Sequence, residues 1–270
     1  MLVSFDGAQA LPRLGGMARP DGVAIVSERF WAFAGVDGTL REGAMPAPRE
    51  RLGRVPLVRG LVRLGLSVSP LFRRGGVAKP RERLLLAVAV AAPLLFAFLP
   101  HRLSLIAGLA VTVGLIVWLL RGRTLALHGA EHRAIAAAEE RRLAETWRGA
   151  VRPTRFAARC GTNFAALVFP IALALQRVWP FAPTVYASAA VVILSLALTM
   201  ELWLAVEASS RRLARAFLLP GLGLQRVTTR EPRLEETRVA LRAVESVLSR
   251  ELSPKRTPAR PVLARLASGC

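Results

Sequence analysis

Two uncharged apolar runs in the middle of the chain limit most strongly how it can fold. Residues 84–99 and 103–120 carry no charged side chain, and the stretch from Pro100 to Arg102 separates them. Each run is slightly shorter than the roughly 20 apolar residues that cross a bilayer as a helix. Local thinning of the bilayer or snorkelling of the flanking arginines can make up the difference. The pattern therefore predicts a helical hairpin through a membrane.

Two more apolar runs follow in the second half of the chain. Residues 164–175 form a short run, for which we expect either a tilted span that ends near Trp179 or a re-entrant segment. Residues 185–200 are predicted to span, and their helix is expected to continue into water. The sequence thus predicts a mainly α-helical polytopic membrane protein with about four transmembrane helices, in two hairpins over residues 83–121 and 161–210.

The segments outside these runs differ in composition. Residues 1–54 contain two short apolar runs between turn-forming residues, which predict a small N-terminal β-containing cytoplasmic segment. Residues 55–82 mix apolar residues and arginines at helical spacing. Two interpretations of this amphipathic helix remain open: it lies in the membrane interface with Arg59 and Arg63 toward lipid phosphates, or it packs on the domain. Residues 253–270 are rich in Pro and Arg and are predicted to form a disordered basic tail.

The net charge of +20 indicates an anionic partner. Aromatic residues make up only 6% of the chain and we find no nucleic-acid-binding module, so we expect no nucleic acid as a partner. The expected partners are the lipid bilayer and its anionic head groups. Arginines concentrate in the N-terminal region, in residues 122–160 and in residues 211–252. These segments and both termini are therefore predicted to be cytoplasmic.

Three polar residues closely follow the second apolar run. His128, Glu131 and His132 occupy positions i, i+3 and i+4 of a segment rich in Ala, Glu, Arg and Leu. Such a segment is expected to be helical, and this spacing then places the three side chains on one face. Two imidazoles at i and i+4 bind transition metals, and H-x-x-E-H is the pattern of the inverzincin metallopeptidases. We predict that His128 and His132 bind a divalent metal, with zinc favoured, and that Glu131 is a base or a further ligand.

A catalytic zinc site needs a third protein ligand. Residues on the predicted cytoplasmic side that can supply it are Cys160, Glu201, Glu207 and Glu231. Cys160 precedes an apolar helix, whose N-terminus would favour the thiolate. The alternative is that the motif is the polar start of a solvated helix. In that case the histidines bond to neighbours, Cys160 is a small buried residue, and Glu207 pairs with Arg211.

Several segments in combination resemble one known family. They are HGAEHRAI at residues 128–135, RCGTNF at 159–164 and PGLGLQRVTTREP at 220–232, in this order among apolar runs. The chain resembles the DUF1385 family of bacterial membrane proteins, which are described as predicted metal-dependent enzymes, from Gly7 to about Leu248. The resemblance implies a bacterial inner membrane protein, and it singles out these site residues: His128, Glu131, His132, Cys160, Glu207, Gln225, Thr228, Thr229, Arg230 and Glu231.

Three positions depart from the family pattern. Arg13 and Leu66 stand where acidic residues are common in the family, and Ala157 stands where a histidine is common. Two functions therefore remain open. The first is a metal-dependent enzyme, with hydrolysis as the expected reaction, whose site lies at the cytoplasmic interface. The second is a non-catalytic membrane scaffold or partner-binding protein in which the HGAEH motif is structural.

Overall fold

The computed structural model describes residues 2–7, 10–47, 52, 55–73, 76–96, 99–119, 122–181, 184–209 and 216–253. The predicted tail, apart from Ser253, lies outside the described residues. The strands are β1 (Gly15–Arg19), β2 (Gly22–Val26), β3 (Phe30–Gly35) and β4 (Leu40–Ala44). The helices are α1 (Leu2–Asp6), α2 (Val58–Phe72), α3 (Pro80–Phe96), α4 (His101–Leu119), α5 (Arg123–Glu139), α6 (Leu143–Arg148), α7 (Gly161–Val178), α8 (Val185–Ala208), α9 (Leu219–Thr228) and α10 (Leu234–Leu252).

The four strands form an antiparallel meander in the order β1-β2-β3-β4. This sheet confirms the predicted N-terminal β-containing segment. Side chains alternate along β3, so that Ala32 and Ala34 join one hydrophobic cluster while Trp31 and Phe33 join the other, with Val77. Both faces of the sheet are therefore covered, and a small meander needs such packing to be stable.

Outside the apolar helices, helix α5 is the central element of the fold. It packs against the sheet, α6 and α10, and Ala130, Ala134 and Ala137 are completely buried at these contacts. Small side chains let α5 approach its neighbours closely, which leaves little of its surface exposed. The H-x-x-E-H motif therefore lies on a helix that is fixed from several sides, and the alternative of a solvated polar helix is wrong.

The apolar helices pack in pairs, α3 against α4 and α7 against α8. Among the described residues, two helical segments are long and apolar enough to cross a bilayer, Gly161–Val178 and Tyr186–Val206. The first belongs to the run that we expected to be tilted or re-entrant, and its 18 residues extend over about 27 Å. The structure thus supports two candidate spans, and the four-span topology stays a prediction.

Helix α2 lies against α8. The guanidinium of Arg59 donates to the carboxylate of Glu201, with Nε 2.9 Å from Oε1, and the backbone N–H of Leu57 donates to the same oxygen at 3.0 Å. The close approach occurs at Gly60, where a Cβ would lie 2.6 Å from the Cβ of Met200. Helix α2 thus packs on α8 with Arg59 directed to a carboxylate, and its placement in the membrane interface stays a prediction.

Candidate metal centre

Three potential metal ligands converge from two helices. His128 and His132 lie one turn apart on α5, and Cys160 is the N-cap residue of α7. Each of the three residues offers one potential ligand atom, and these three atoms lie within 4.8 Å of one another. The shortest contact joins Nε2 of His128 to Sγ of Cys160 at 3.4 Å. The structure therefore brings together the two predicted histidines and the predicted cysteine.

Both imidazole rings are held through their Nδ1 atoms. Nδ1 of His128 lies 2.8 Å from the carbonyl oxygen of Thr228, and Nδ1 of His132 lies 2.7 Å from that of Arg155. Because a carbonyl oxygen can only accept a hydrogen bond, each Nδ1 carries the proton. Each neutral ring then keeps its lone pair on Nε2. This is the second-shell arrangement that orients histidine ligands around a metal ion.

Burial keeps these rings neutral. The two ring centroids are 4.5 Å apart in an edge-to-face arrangement. Loss of solvation lowers the pKa of His128, and it lowers the pKa of His132 to about 4, with a smaller contribution from the charge of His128. A neutral imidazole is the form that binds a metal ion, so ligation at neutral pH needs no deprotonation of either histidine.

Cys160 is positioned by the first turn of α7. Its Sγ accepts hydrogen bonds from the backbone N–H of Thr162 at 3.4 Å and from the Thr162 hydroxyl at 3.1 Å. Burial raises the pKa of the thiol, and these two hydrogen bonds oppose that rise. The metal-free protein therefore holds a thiol at neutral pH. A bound cation would convert this thiol to the thiolate ligand.

Glu131 lies beside the cluster and not among the mutually close donors. Its carboxyl group accepts a hydrogen bond from the backbone N–H of Ala18, while Oε2 is buried and has no hydrogen-bond partner among the described residues. Loss of solvation raises its pKa to about 8. Strand β1 approaches so closely that a Cβ at Gly16 would lie 2.7 Å from Cγ of Glu131. This geometry favours the role of base over that of ligand.

An open space adjoins the cluster. A cavity of about 290 Å³ reaches His128, Glu131 and Cys160. A second, smaller cavity of about 140 Å³ lies on the side of His132 and is also bounded by Glu131. His128 and Cys160 thus border one cavity and His132 borders the other, and open space beside the ligands is what distinguishes a catalytic metal site from a closed structural one.

The segment after α9 fixes the histidines from outside. Besides the Thr228 carbonyl that orients His128, the Thr229 carbonyl accepts from Nη1 of Arg155 at 2.8 Å. The backbone N–H of Arg230 donates to the carbonyl of Leu125 at 2.9 Å. These predicted site residues therefore contact the rest of the site through their backbone, and Thr228 also lines the larger cavity beside the cluster.

Gln225 and Glu231 also position the site. Gln225 is completely buried, accepts from the backbone N–H of Ala157 at 2.9 Å and donates to its carbonyl at 2.8 Å. Glu231 accepts from Nη2 of Arg133 at 2.7 Å. The bonds of Gln225 attach the segment before α7 to α9. The bond of Glu231 attaches the segment after α9 to α5.

The structure also separates the candidates for the third ligand. Glu201 is paired with Arg59 and Glu231 with Arg133, so neither carboxylate is directed at the histidines. The side chain of Glu207 lies outside the described residues, as does Arg211. Among the described residues, Cys160 is the third donor that the geometry provides.

Several residues of the site carried no signal in the sequence. Ala18 reaches Glu131 only because β1 packs on α5, and Arg155 contributes a backbone carbonyl, which any residue possesses. Thr162 and Asn163 did belong to the RCGTNF segment. The buried Asn163 amide donates to the carbonyl oxygens that precede Cys160.

The three positions that depart from the family pattern lie in different places. Ala157 lines the smaller cavity beside His132. Arg13 lines a third cavity of about 490 Å³, together with Arg141 and Arg159. Leu66 lies on α2. Of the three, Ala157 is therefore the one that shares a cavity wall with the cluster.

The donor set fits a metal ion. Nε2 of His132 is buried and has no hydrogen-bond partner within the described part of the chain, although burying an unsatisfied polar atom is costly. In a tetrahedral zinc site with bonds of about 2.0–2.3 Å, neighbouring donor atoms lie about 3.4 Å apart. The contact between His128 and Cys160 already has this length, and the remaining donors are close enough for small side-chain rotations to bring them in.

Comparison with known proteins identifies one family. The model of a family described as "Protein of unknown function (DUF1385)" matches residues 83–250, which is more than half of the chain. This confirms the resemblance inferred from the HGAEH, RCGT and TTREP segments. No curated protein and no solved structure matches the chain. The matched region contains His128, Glu131, His132 and Cys160, whereas β1 precedes it.

Proposed function

Since this chain belongs to the DUF1385 family, we propose that it is a membrane-associated, metal-dependent enzyme that catalyses a hydrolysis. One observation carries the proposal. Two imidazoles, the partly buried His128 and the buried His132, have Nδ1 bonded to backbone carbonyls and converge with a cysteine sulfur within 4.8 Å, next to a buried carboxyl oxygen without a hydrogen-bond partner among the described residues. Binding a metal ion satisfies the orphaned nitrogen, and the cavity leaves room for a substrate.

His128, His132 and Cys160 would hold the ion, with zinc favoured. A borderline-soft cation suits two imidazoles and one thiolate. When bound, it would supply Lewis-acid polarisation of an electrophilic group and positive charge in the transition state. Three protein donors leave one position open, as in catalytic zinc sites.

Glu131 would act as the general base. In hydrolysis a water oxygen adds to the electrophilic centre, and its proton must go to a nearby group. Glu131 would accept that proton and return it to the leaving group, so that the carboxylate is regenerated when the bond breaks. The buried position of Glu131 at the cavity wall suits this role, since a desolvated carboxylate is a stronger base than an exposed one.

A non-catalytic scaffold with a structural metal clip is the alternative. The convergence of α5 and α7 on the cluster suits such a clip, because one ion would connect two helices that are distant in sequence. The cavity and Glu131 favour catalysis, since a structural clip uses neither of them.

The membrane placement is part of the proposal. Helices α7 and α8 would cross the bacterial inner membrane, and the hairpin of α3 and α4 would enter it. The sheet, α5 and α10 would lie on the cytoplasmic side, with both termini. The exposed apolar side chains of α3 and α4, including Leu84, Val88, Ile106 and Val113, support contact with lipid. The concentration of arginines on the proposed cytoplasmic side agrees with the positive-inside rule.

Elemental analysis of the full chain, purified in detergent without chelator, tests the proposal. The wild type is compared with His128→Ala, His132→Ala and Cys160→Ser. His101→Ala is the matched control, because it removes the third histidine of the chain, at the first residue of α4. We expect near-stoichiometric zinc in the wild type and in His101→Ala, and loss of zinc in the three cluster variants, all of which still insert into membranes.

Two results would contradict the proposal in different ways. A wild type that contains no metal after add-back of zinc, iron and manganese would exclude the metal centre. Metal that is retained in the cluster variants would show that it binds elsewhere. If the metal is present but Glu131→Gln leaves a measured hydrolysis unchanged, Glu131 is not the base, and the structural clip becomes the better explanation.

A further inference from the structure

The cavity at the cluster lies where apolar helices begin and end. Its wall includes Thr124 and Leu125 in the first turn of α5, and Gly161 and Thr162 in the first turn of α7. Helix α5 begins only four positions after the last residue of the apolar α4, and α7 is itself a candidate span. With the membrane placement proposed above, this cavity lies at the level of the cytoplasmic head groups.

The cavity wall has a polar part, which also includes Arg159 and three threonines, and an apolar part. His128, Glu131 and Cys160 provide the reactive groups. Met17, Leu125 and the exposed Gly161 provide wall without charge or hydrogen-bonding side chains. A ligand that contacts both parts needs a polar reactive group joined to an apolar portion.

The size of the cavity decides how such a ligand would lie. A volume of about 290 Å³ is at the lower end for ligand pockets, which typically hold about 300–1,000 Å³. It can accommodate a head group and a few methylene groups, but it is too small for a whole lipid. The rest of an acyl chain would have to leave the cavity, and the wall includes the first turn of α7, a candidate span, and the first turn of α5, which follows the apolar α4 in the chain.

We propose that the substrate is amphiphilic: an ester or amide of a membrane lipid, whose reactive group lies over His128, Glu131 and Cys160 and whose apolar chain passes between α5 and α7 into the cytoplasmic leaflet. This inference rests on the proposed hydrolytic function. Hydrolysis breaks the bond between the acyl carbon and the oxygen or nitrogen that it carries. Water supplies the hydroxyl group to the acyl carbon and the proton to the leaving group, so no further reactant is needed.

Gly161 offers a way to close this passage. A Cβ at Gly161 would meet no atom within 4 Å, so Gly161→Leu can be accommodated by the fold and adds a side chain to the cavity wall. Gly223→Leu on α9 is the matched control, because a Cβ there also meets no atom within 4 Å and Gly223 does not line the cavity.

The full chain, loaded with Co²⁺ and inserted into phospholipid nanodiscs, is titrated with two hydroxamates, acetohydroxamate and decanohydroxamate. Hydroxamates bind open metal sites, and the visible spectrum of Co²⁺ reports their binding without any measured activity. The wild type and both variants are placed in nanodiscs of the same lipid composition, so decanohydroxamate partitions into the bilayer to the same extent in each sample. Any difference between variants therefore reports the passage.

We expect Gly161→Leu to weaken decanohydroxamate binding by about tenfold, because the new side chain should displace roughly one or two methylene groups of the ligand from the cavity. Each methylene group that loses its buried position weakens binding by about fourfold. Acetohydroxamate should bind that variant with unchanged affinity, and Gly223→Leu should match the wild type for both compounds. Equal effects of Gly161→Leu on both compounds, or no effect on either, would overturn the proposal and indicate a soluble substrate. A Co²⁺ spectrum that is identical in the wild type and Cys160→Ser would instead refute the metal centre itself.

Discussion

Nε2 of His128 lies 3.4 Å from Sγ of Cys160, although 32 positions separate the two residues in the sequence. One residue belongs to a buried helix and the other caps the start of a candidate membrane span. The contact therefore links the part of the protein that carries the H-x-x-E-H motif to the part predicted to lie in lipid. The consequences below follow from this link and from the burial of Glu131 beside it.

Cys160→Ser should remove the soft ligand while leaving the helix intact. Serine is a favoured N-cap residue, so α7 should still begin at the same place. In Co²⁺-loaded protein we expect the thiolate-to-cobalt absorption band to disappear and the metal affinity to fall by well over tenfold. The measurement is an absorption titration with Co²⁺ in detergent.

Thr162→Val is the companion variant, because it removes only the hydroxyl that lies 3.1 Å from Sγ. The band should persist with an affinity reduced by about tenfold, as for other second-shell changes. An unchanged cobalt band in Cys160→Ser would show that the sulfur is not a ligand.

Glu131 should make the metal-free protein less stable as the pH rises. Burial raises its pKa from 4.5 to about 8, so between these values the folded protein holds a proton that the unfolded chain has released. Stability therefore falls with rising pH in this window, by at most about 1.4 kcal/mol per pH unit. His132 acts in the opposite direction, since its pKa falls from 6.5 to about 4 and stability rises with pH between these values.

The net expectation for chelator-treated protein is a melting temperature that falls between pH 6.5 and 8. Glu131→Gln should abolish this fall and unmask the rise between pH 4.5 and 6.5, where the two effects oppose each other in the wild type. Thermal unfolding in detergent at a series of pH values measures both. A wild type whose melting temperature is constant from pH 6.5 to 8 would show that Glu131 is not a buried acid.

Gly16→Ala should displace the side chain of Glu131, and the substitution changes no charged group. The new Cβ would lie 2.7 Å from Cγ of Glu131, and the buried side chain would have to move away from the amide of Ala18. The amide of Ala18 lowers the pKa of Glu131, so its loss should raise that pKa further, and the fall in melting temperature of the metal-free protein should extend above pH 8.

The control for Gly16→Ala lies on the same strand. At Gly15 a Cβ would lie 3.4 Å from Cγ2 of Val26, which is within reach of normal packing. Gly15→Ala should therefore keep the melting profile of the wild type. If both variants behave alike, the contact between β1 and Glu131 does not control the carboxyl group.

The sequence by itself determined the chemistry that is possible and the classes of element. Uncharged runs cannot be solvated cheaply, so they predicted apolar helices, and the short runs between turn residues predicted the N-terminal strands. The spacing of His128, Glu131 and His132 determined that they share a face, because helical periodicity is a local property. Cys160 was one of several candidates for the third ligand, and the family resemblance also includes it in the site.

Only the tertiary structure decided which candidates meet. The sequence alone did not distinguish among Glu201, Glu231 and Cys160 as the third ligand. In the structure, Arg59 of α2 pairs with Glu201, and Arg133 of α5 pairs with Glu231. The same holds for Glu131, whose burial depends on the approach of β1. The local sequence determines the secondary structure and which residues could act as metal ligands. Which donors converge, and how far they are removed from water, depends on contacts between residues that are distant along the chain, and a single sequence does not display those contacts.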